Sequence, residues 1–180
     1  MRVIAGTAGG RRLQGPDGDE TRPMMDRAKE ALFSSLGAVV AEADVLDLYA
    51  GSGALGIEAL SRGAASVTFV ERGKAALRVL RANLDSTGFE GRVVASDVGA
   101  FLSGAGSEFH LVFVDPPYRL SLALVEEVLA AAAALLANGG VMVVHRRAGE
   151  QSPAAPASTS LVDDRRYGDT QLWIYQRDES

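Results

Sequence analysis

The sequence predicts an α/β fold: a mostly parallel seven-stranded sheet with an antiparallel C-terminal strand and a small N-terminal hairpin-helix extension. Three observations carry that expectation. Short apolar runs alternate with stretches of helical periodicity from residue 45 to residue 145, which implies βαβ units and a parallel sheet with right-handed crossovers. Three glycines, Gly51, Gly53 and Gly56, cluster where the first of these strands meets its helix. A stiff tetrad, Asp115-Pro116-Pro117-Tyr118, follows the apolar run Leu111 to Val114.

The elements follow in order. Arg2 to Leu13, with apolar pieces broken by Gly6, Gly9 and Gly10, predicts a small hairpin, and Gly15 to Pro23 is turn-rich. Asp26 to Leu36 places Ala28, Leu32, Phe33 and Leu36 at helical spacing, with Gly37 near its end. Strands are expected at Val45 to Tyr49, Ser66 to Glu71, Arg92 to Ala95, Phe109 to Val114 and Val141 to His145. The helices between them are expected at Ala54 to Arg62, Lys74 to Leu84, Val98 to Leu102 and, as one long helix, Leu120 to Leu136. Ala148 to Ser160, rich in Ala, Ser and Pro, reads as a loop. Leu161 to Arg165 and Gln171 to Gln176 are expected to pair antiparallel around Tyr167-Gly168-Asp169.

At 180 residues, 47% of them hydrophobic, the chain has the length of about one domain and enough apolar material for a core. It has no cysteine, which excludes disulfides and thiolate metal sites. His110 and His145 stand alone without a second ligand at metal spacing, and both are expected as structural or surface residues. The start, Met1 to Leu13, lacks the apolar segment of a signal peptide. Leu120 to Ala137, the longest apolar stretch, carries Glu126 and Glu127, so no membrane span is expected and the cytoplasm is the default. A net charge of −5 argues against an all-over basic nucleic-acid binder. Residues 1 to 16, however, carry Arg2, Arg11 and Arg12 and no acid, so a local basic patch is expected there.

The glycine turn Asp47 to Gly56 admits two ligand classes. A G-x-G-x-x-G spacing after a strand can seat a dinucleotide pyrophosphate on a helix N-terminus. It also lets backbone approach S-adenosylmethionine (SAM), which carries an ammonium group and no phosphate. Asp47, four residues before Gly51, favours the cationic ligand, since a carboxylate there repels a pyrophosphate. Glu71 ends the second strand, 20 residues after Gly51, where an acid can accept both ribose hydroxyls of either cofactor. Asp97 follows the third strand and can accept from an adenine amine, cap the next helix, or both.

The tetrad points to nucleobase chemistry. The Asp115 carboxylate and the Pro116 carbonyl can both accept hydrogen bonds from one exocyclic amine, Pro117 stiffens the loop, and Tyr118 can stack on the base. Methylation of a base amine needs that constellation.

These motifs, in this order, resemble class I SAM-dependent N-methyltransferases of Rossmann-like fold. Gly9-Gly10-Arg11-Arg12-Leu13, Thr21-Arg22-Pro23-Met24-Met25-Asp26-Arg27, Glu30-Ala31-Leu32-Phe33, Leu60-Ser61-Arg62-Gly63-Ala64 and Tyr167-Gly168-Asp169-Thr170 narrow the resemblance to the RsmD-type family. That family methylates the N2 amine of a guanine in bacterial small-subunit (16S) ribosomal RNA. The resemblance implies SAM as cofactor, held by Asp47, Ala50, Gly51, Gly53, Glu71 and Asp97. It implies Asp115, Pro116, Pro117 and Tyr118 as catalytic residues, and no metal. It further implies an RNA-facing extension over residues 1–40, a catalytic domain over residues 41–180, and a monomer that acts on ribosomal RNA assembled into a small-subunit particle. Arg11, Arg12, Arg22 and Arg27 are the candidates for RNA phosphate contacts. Two departures stand out: Met24 and Met25 replace the two threonines usual after Thr-Arg-Pro, and His145-Arg146-Arg147 stands where a strand often ends in Glu. Both methionines are expected as packing residues. The tetrad is shared with adenine and cytosine amine methyltransferases acting on DNA or other RNA, which leaves that alternative open. The glycine spacing alone would also suit a nicotinamide-dependent oxidoreductase, and the fold alone a non-catalytic RNA-binding module.

Overall fold

The computed structural model describes residues 1–15 and 24–179. Its element order is α1 (Asp26–Leu36), a single 3-10 turn at Gly37–Val39, β1 (Asp44–Leu48), α2 (Ala54–Ser61), β2 (Ser66–Glu71), α3 (Lys74–Thr87), β3 (Arg92–Ala95), α4 (Val98–Gly104), β4 (Phe109–Val114), α5 (Leu122–Ala133), β5 (Leu136–Arg147), β6 (Thr159–Tyr167) and β7 (Thr170–Arg177). The seven strands form one sheet in the order β3-β2-β1-β4-β5-β7-β6. The first five are parallel, and β7 runs antiparallel to both β5 and β6. The expected α/β architecture is therefore present. No helix among the described residues is long and apolar enough to cross a membrane.

The central strands are apolar on both faces because both faces are covered. On one side Val45, Phe69, Leu111, Phe113, Val143 and Leu172 pack with α1, α2 and α3. On the other Leu46, Val70, Val112, Val144, Trp173 and Tyr175 pack with α4 and α5. The chain reverses between β6 and β7 over Gly168-Asp169, where Gly168 takes φ +57°.

The expected long helix Leu120 to Leu136 is shorter. Ser121 caps α5 at its start, and the helix ends at Ala133. Leu136 then pairs with Phe109 before the register shifts to Leu111 opposite Val141. An alanine- and leucine-rich run does not itself tell helix from buried strand. The tertiary pairing decides, and it takes Leu136 into the sheet.

The N-terminal stretch forms the expected small hairpin, with an isolated bridge of Arg2 opposite Arg12 and the Val3, Gly10 and Leu13 amides bonded across it to the Arg11, Val3 and Met1 carbonyls. Its strength comes from docking. Glu58 of α2, fully buried, accepts from the Ile4 and Ala5 amides, and Arg62 Nε and Lys29 Nζ lie 2.8 and 3.5 Å from its carboxylate. Asn83 of α3 accepts from the Gln14 amide and donates to the Gln14 and Ser52 carbonyls. Val3, Ala8, Leu13 and Met24 share one core with α1 and the sheet. Met24 packs as expected, whereas Met25 is 61% exposed. It precedes α1 as the N-cap residue, and its side chain points away from the core that Met24 joins.

Candidate active site

In a parallel sheet, ligands bind beyond the carboxyl ends of the strands where the strand order reverses. Here that point lies between β1 and β4. A cavity of about 370 Å³ opens there, walled by Asp47, Tyr49, Ala50, Gly51, Glu71, Asp97 and the whole tetrad Asp115 to Tyr118. The residues singled out from sequence on both sides of the reaction are thus brought to one cavity.

Gly51 and Gly53 have different physical duties. Gly51 takes φ +57° with only the Tyr49 carbonyl within 4 Å of where a Cβ would stand, so its bare backbone faces open space. Gly53, at φ +80°, is buried behind the turn, where a Cβ would overlap Leu80 Cδ1, and it does not reach the cavity wall. Gly56 is barred from a side chain by Phe69 and Val67.

The acids are preset by main-chain donors. Asp47, 1% exposed, accepts from the Gly56 amide at 3.0 Å. Burial pushes its carboxyl well above the usual carboxylate range, and the negative charges of Asp115 and Glu71 add to that push. Glu71 accepts from the Gly51 amide at 2.9 Å and, with its other oxygen, from the Arg72 and Gly73 amides. Asp97 caps α4 through the Gly99 and Ala100 amides and meets Arg72 Nη1 at 3.3 Å. A cation bound in the cavity would relieve the cost of ionising Asp47.

The tetrad is held by residues that sequence reasoning did not assign to the site. Asp115 Oδ1 lies 2.8 Å from His145 Nδ1. Arg146, 4% exposed, donates to the Pro117 carbonyl at 2.9 Å, the Tyr118 carbonyl at 3.2 Å and the Leu120 carbonyl at 2.9 Å, while its Nε meets Glu150 at 2.7 Å. The Arg147 guanidinium stands 4.7 Å from the centre of the Tyr118 ring. The Arg146 clamp begins at the Pro117 carbonyl and does not take that of Pro116. Burial raises the Tyr118 hydroxyl above its usual value, aided by Asp115 and opposed by the two arginines. The signal for His145 was its place one residue past the apolar run of a parallel strand, the same place Asp115 has on the neighbouring one.

Of the candidate RNA contacts, Arg11, Arg12 and Arg27 lie apart from the cavity wall. Arg11, Arg12 and Arg27 are exposed, and Arg11 Nη1 is tied to the Ser86 carbonyl at 2.7 Å. Arg22, with Thr21 and Pro23, lies outside the described residues.

The fold and the acid-walled cavity define the class: this is the architecture of the SAM-dependent methyltransferases. Residues 1–176 match the family model described as Conserved hypothetical protein 95. Ribosomal RNA small subunit methyltransferase D of Escherichia coli (strain K12) is 38% identical over 181 residues, covering 99% of this chain and 90% of that protein. The protein of the same name from Haemophilus influenzae is 38% identical over 98% of this chain and 93% of its own length. The solved structure of the Escherichia coli protein yhhF superposes with a TM-score of 0.88 at 38% identity, covering 100% of this chain and 99% of that one. The chain belongs to the RsmD family of methyltransferases.

Proposed function

We propose that this chain transfers a methyl group from SAM to the exocyclic N2 amine of a guanine in small-subunit ribosomal RNA. The observation that carries the reading is the meeting of Asp115 to Tyr118 with Asp47, Gly51 and Glu71 at one cavity. The names of the full-length relatives support the substrate class.

The donor set fits SAM. When bound, SAM supplies an activated methyl on a positively charged sulfur. Asp47 and its neighbouring acids suit a cationic amino-acid moiety, the bare Gly51 backbone admits close approach, and Glu71 presents a preset carboxylate to the ribose hydroxyls. Asp97 keeps its capping bonds on Oδ1, so Oδ2 serves the adenine amine, at the rim with Arg72.

A guanine N2 amine is a weak nucleophile because its lone pair is delocalised, so alignment and electrostatics carry the catalysis. Asp115 and the Pro116 carbonyl, which the clamp leaves alone, accept the amine's two hydrogens and turn its lone pair toward the methyl. Tyr118 stacks on the base, an interaction worth about 1–3 kcal/mol. That offsets part of the few kcal/mol needed to unstack the base. Residues 1–40 form the RNA-facing extension, with Arg11, Arg12, Arg22 and Arg27 on phosphates, and residues 41–180 carry out the chemistry. The substrate is guanine within a small-subunit particle, and the enzyme acts as a cytoplasmic monomer.

The test is incubation with labelled SAM and small ribosomal subunits from cells lacking this enzyme, followed by nucleoside analysis. Label on N2-methylguanine supports the reading. Label on adenine or cytosine replaces it with the alternative base. Asp115→Ala is expected to abolish transfer while SAM binding persists, and wild-type turnover in that variant would refute the role of Asp115.

A further inference from the structure

We propose that His145 is a positioning residue of the methyl-transfer site: its Nδ1–H holds Asp115 so that one carboxylate oxygen, Oδ2, meets the base amine, and its charge sets how readily that carboxylate receives the amine's hydrogens. The inference rests on the methyl-transfer reading above and goes beyond it. The geometry is specific. β4 and β5 pair with Val114 opposite Val144, so Asp115, one residue past β4, stands beside His145, which β5 holds paired with Leu172 of β7. Nδ1 and Oδ1 are 2.8 Å apart. The histidine side chain is 3% exposed and the aspartate 31%, so the pair has a buried holder and a partly open working group. The Asp115 amide donates to the Leu48 carbonyl at 3.4 Å, which ties its backbone to β1 while His145 fixes the side chain. The Tyr118 ring closes over the imidazole edge-on at 6.2 Å.

The ionised carboxylate only accepts, so Nδ1 carries a proton in both charge states of the ring. The two states differ at Nε2, which is buried with no hydrogen-bond partner among the described residues. Burial opposes the cation, but Asp115 outweighs burial and holds the histidine above its ordinary value of 6.5. The other charged or titratable groups around the ring are Tyr118 after β4, Arg146 beside it and Glu150 beyond β5. On β7 the residue opposite is the apolar Leu172, while Lys29 of α1 and Asp47 of β1 line the same cavity as Asp115.

In the transfer the nitrogen–carbon bond forms, the carbon–sulfur bond breaks with its electron pair left on sulfur, and the amine becomes cationic before losing one proton to Asp115 Oδ2. A neutral His145 leaves the pair with a full negative charge to balance that cation. An imidazolium cancels it. Methyl transfer is therefore expected to rise with pH as His145 loses its proton.

Two readouts test this. The first is the pH profile of kcat for wild type, His145→Gln and His145→Ala, with cofactor affinity measured alongside. Glutamine can donate to Oδ1 without titrating, so His145→Gln should keep turnover, reduced several-fold, and lose the acid limb. His145→Ala should lower kcat by roughly 10–100-fold, the cost of a misplaced reacting group, with cofactor affinity unchanged. An acid limb that survives in His145→Gln, or wild-type kcat in His145→Ala, would overturn the proposal. The second readout is an NMR titration of the His145 ring in the unliganded protein, with and without Asp115→Asn. Loss of the upward shift in that variant is expected, and a His145 signal unmoved by it would overturn the coupling even if turnover is found. Absence of methyl transfer by wild type on every RNA offered would instead overturn the functional reading, and the catalytic half of the proposal with it.

Discussion

Arg146→Ala should cost both stability and turnover, because one side chain holds three carbonyls of the loop from Pro117 to Leu120. Its guanidinium fork reaches the Pro117, Tyr118 and Leu120 carbonyls at 2.9, 3.2 and 2.9 Å, and Nε meets Glu150 at 2.7 Å. Hydrogen bonds to charged groups contribute about 1.5–3 kcal/mol each net, and breaking a buried pair by deleting one partner costs about 3–5 kcal/mol. Glu150 is 32% exposed and can take up water once abandoned, which trims the loss. The balance is a destabilisation of about 2–4 kcal/mol. Turnover should fall further, since a loop free to shift by about 1 Å can lose about 100-fold. Arg146→Lys should recover part of the stability and less of the rate, because an ammonium is a point donor without the planar fork. Urea unfolding at constant m-value gives the first number, and single-turnover methylation gives the second. An Arg146→Ala protein within about 1 kcal/mol of wild type and with wild-type kcat would refute the clamp.

The cofactor half and the RNA side make their own predictions. Burial lifts the folded-state value of Asp47 above its unfolded one, so the stability it contributes is present at low pH and is lost as pH rises through the folded value. A carboxyl buried in this way burdens the fold once ionised, and Asp47→Asn should raise the unfolding midpoint while abolishing SAM binding by calorimetry. A lowered midpoint would refute that cause of the shift. Gly53→Ala combines φ +80° with overlap at Leu80 and should destabilise by about 1–3 kcal/mol; an unchanged denaturation midpoint would contradict the geometry. Replacing Arg11 and Arg12 with Gln should weaken RNA binding at low salt and flatten the slope of log affinity against log salt by about one unit for each phosphate no longer neutralised. An unaltered slope would remove both from the interface.

What could be read from sequence was what is local in sequence. Ser66–Glu71, Arg92–Ala95 and Phe109–Val114 have the expected bounds because each is a short apolar run closed by charged or turn residues. The glycine turn and the tetrad were legible for the same reason: each carries its geometry within ten residues. What was missed depends on pairing across the chain. Asp115 and His145 are 30 residues apart and meet only because β4 lies beside β5. Arg146 looks like an ordinary surface arginine until α5 and its preceding loop fold back over the end of β5. Leu136 reads as helix because nothing nearby shows that Phe109 will pair with it. Met25 reads as packing because hydrophobicity carries no direction, and its backbone turns it outward.

On the proposed reading, the arrangement of charge lets a chain of net charge −5 serve a cationic donor and a polyanionic substrate at one cavity. Asp47, Glu71 and Asp97 stand at the ends of β1, β2 and β3, where the donor's ammonium, ribose and adenine would lie. His145, Arg146 and Arg147 stand together at the end of β5, against the tetrad. Asp115, just past β4, lies between the two groups, within the field of Asp47 on one side and bonded to His145 on the other. Cationic and anionic half-sites need such separation, since attraction between them in a low-dielectric cavity would otherwise cancel both. Strand order supplies much of it, although Lys29 and Arg72 stand among the acids. The same order places Asp115, the group proposed to receive a proton once the methyl has been transferred, between the acidic and the basic group.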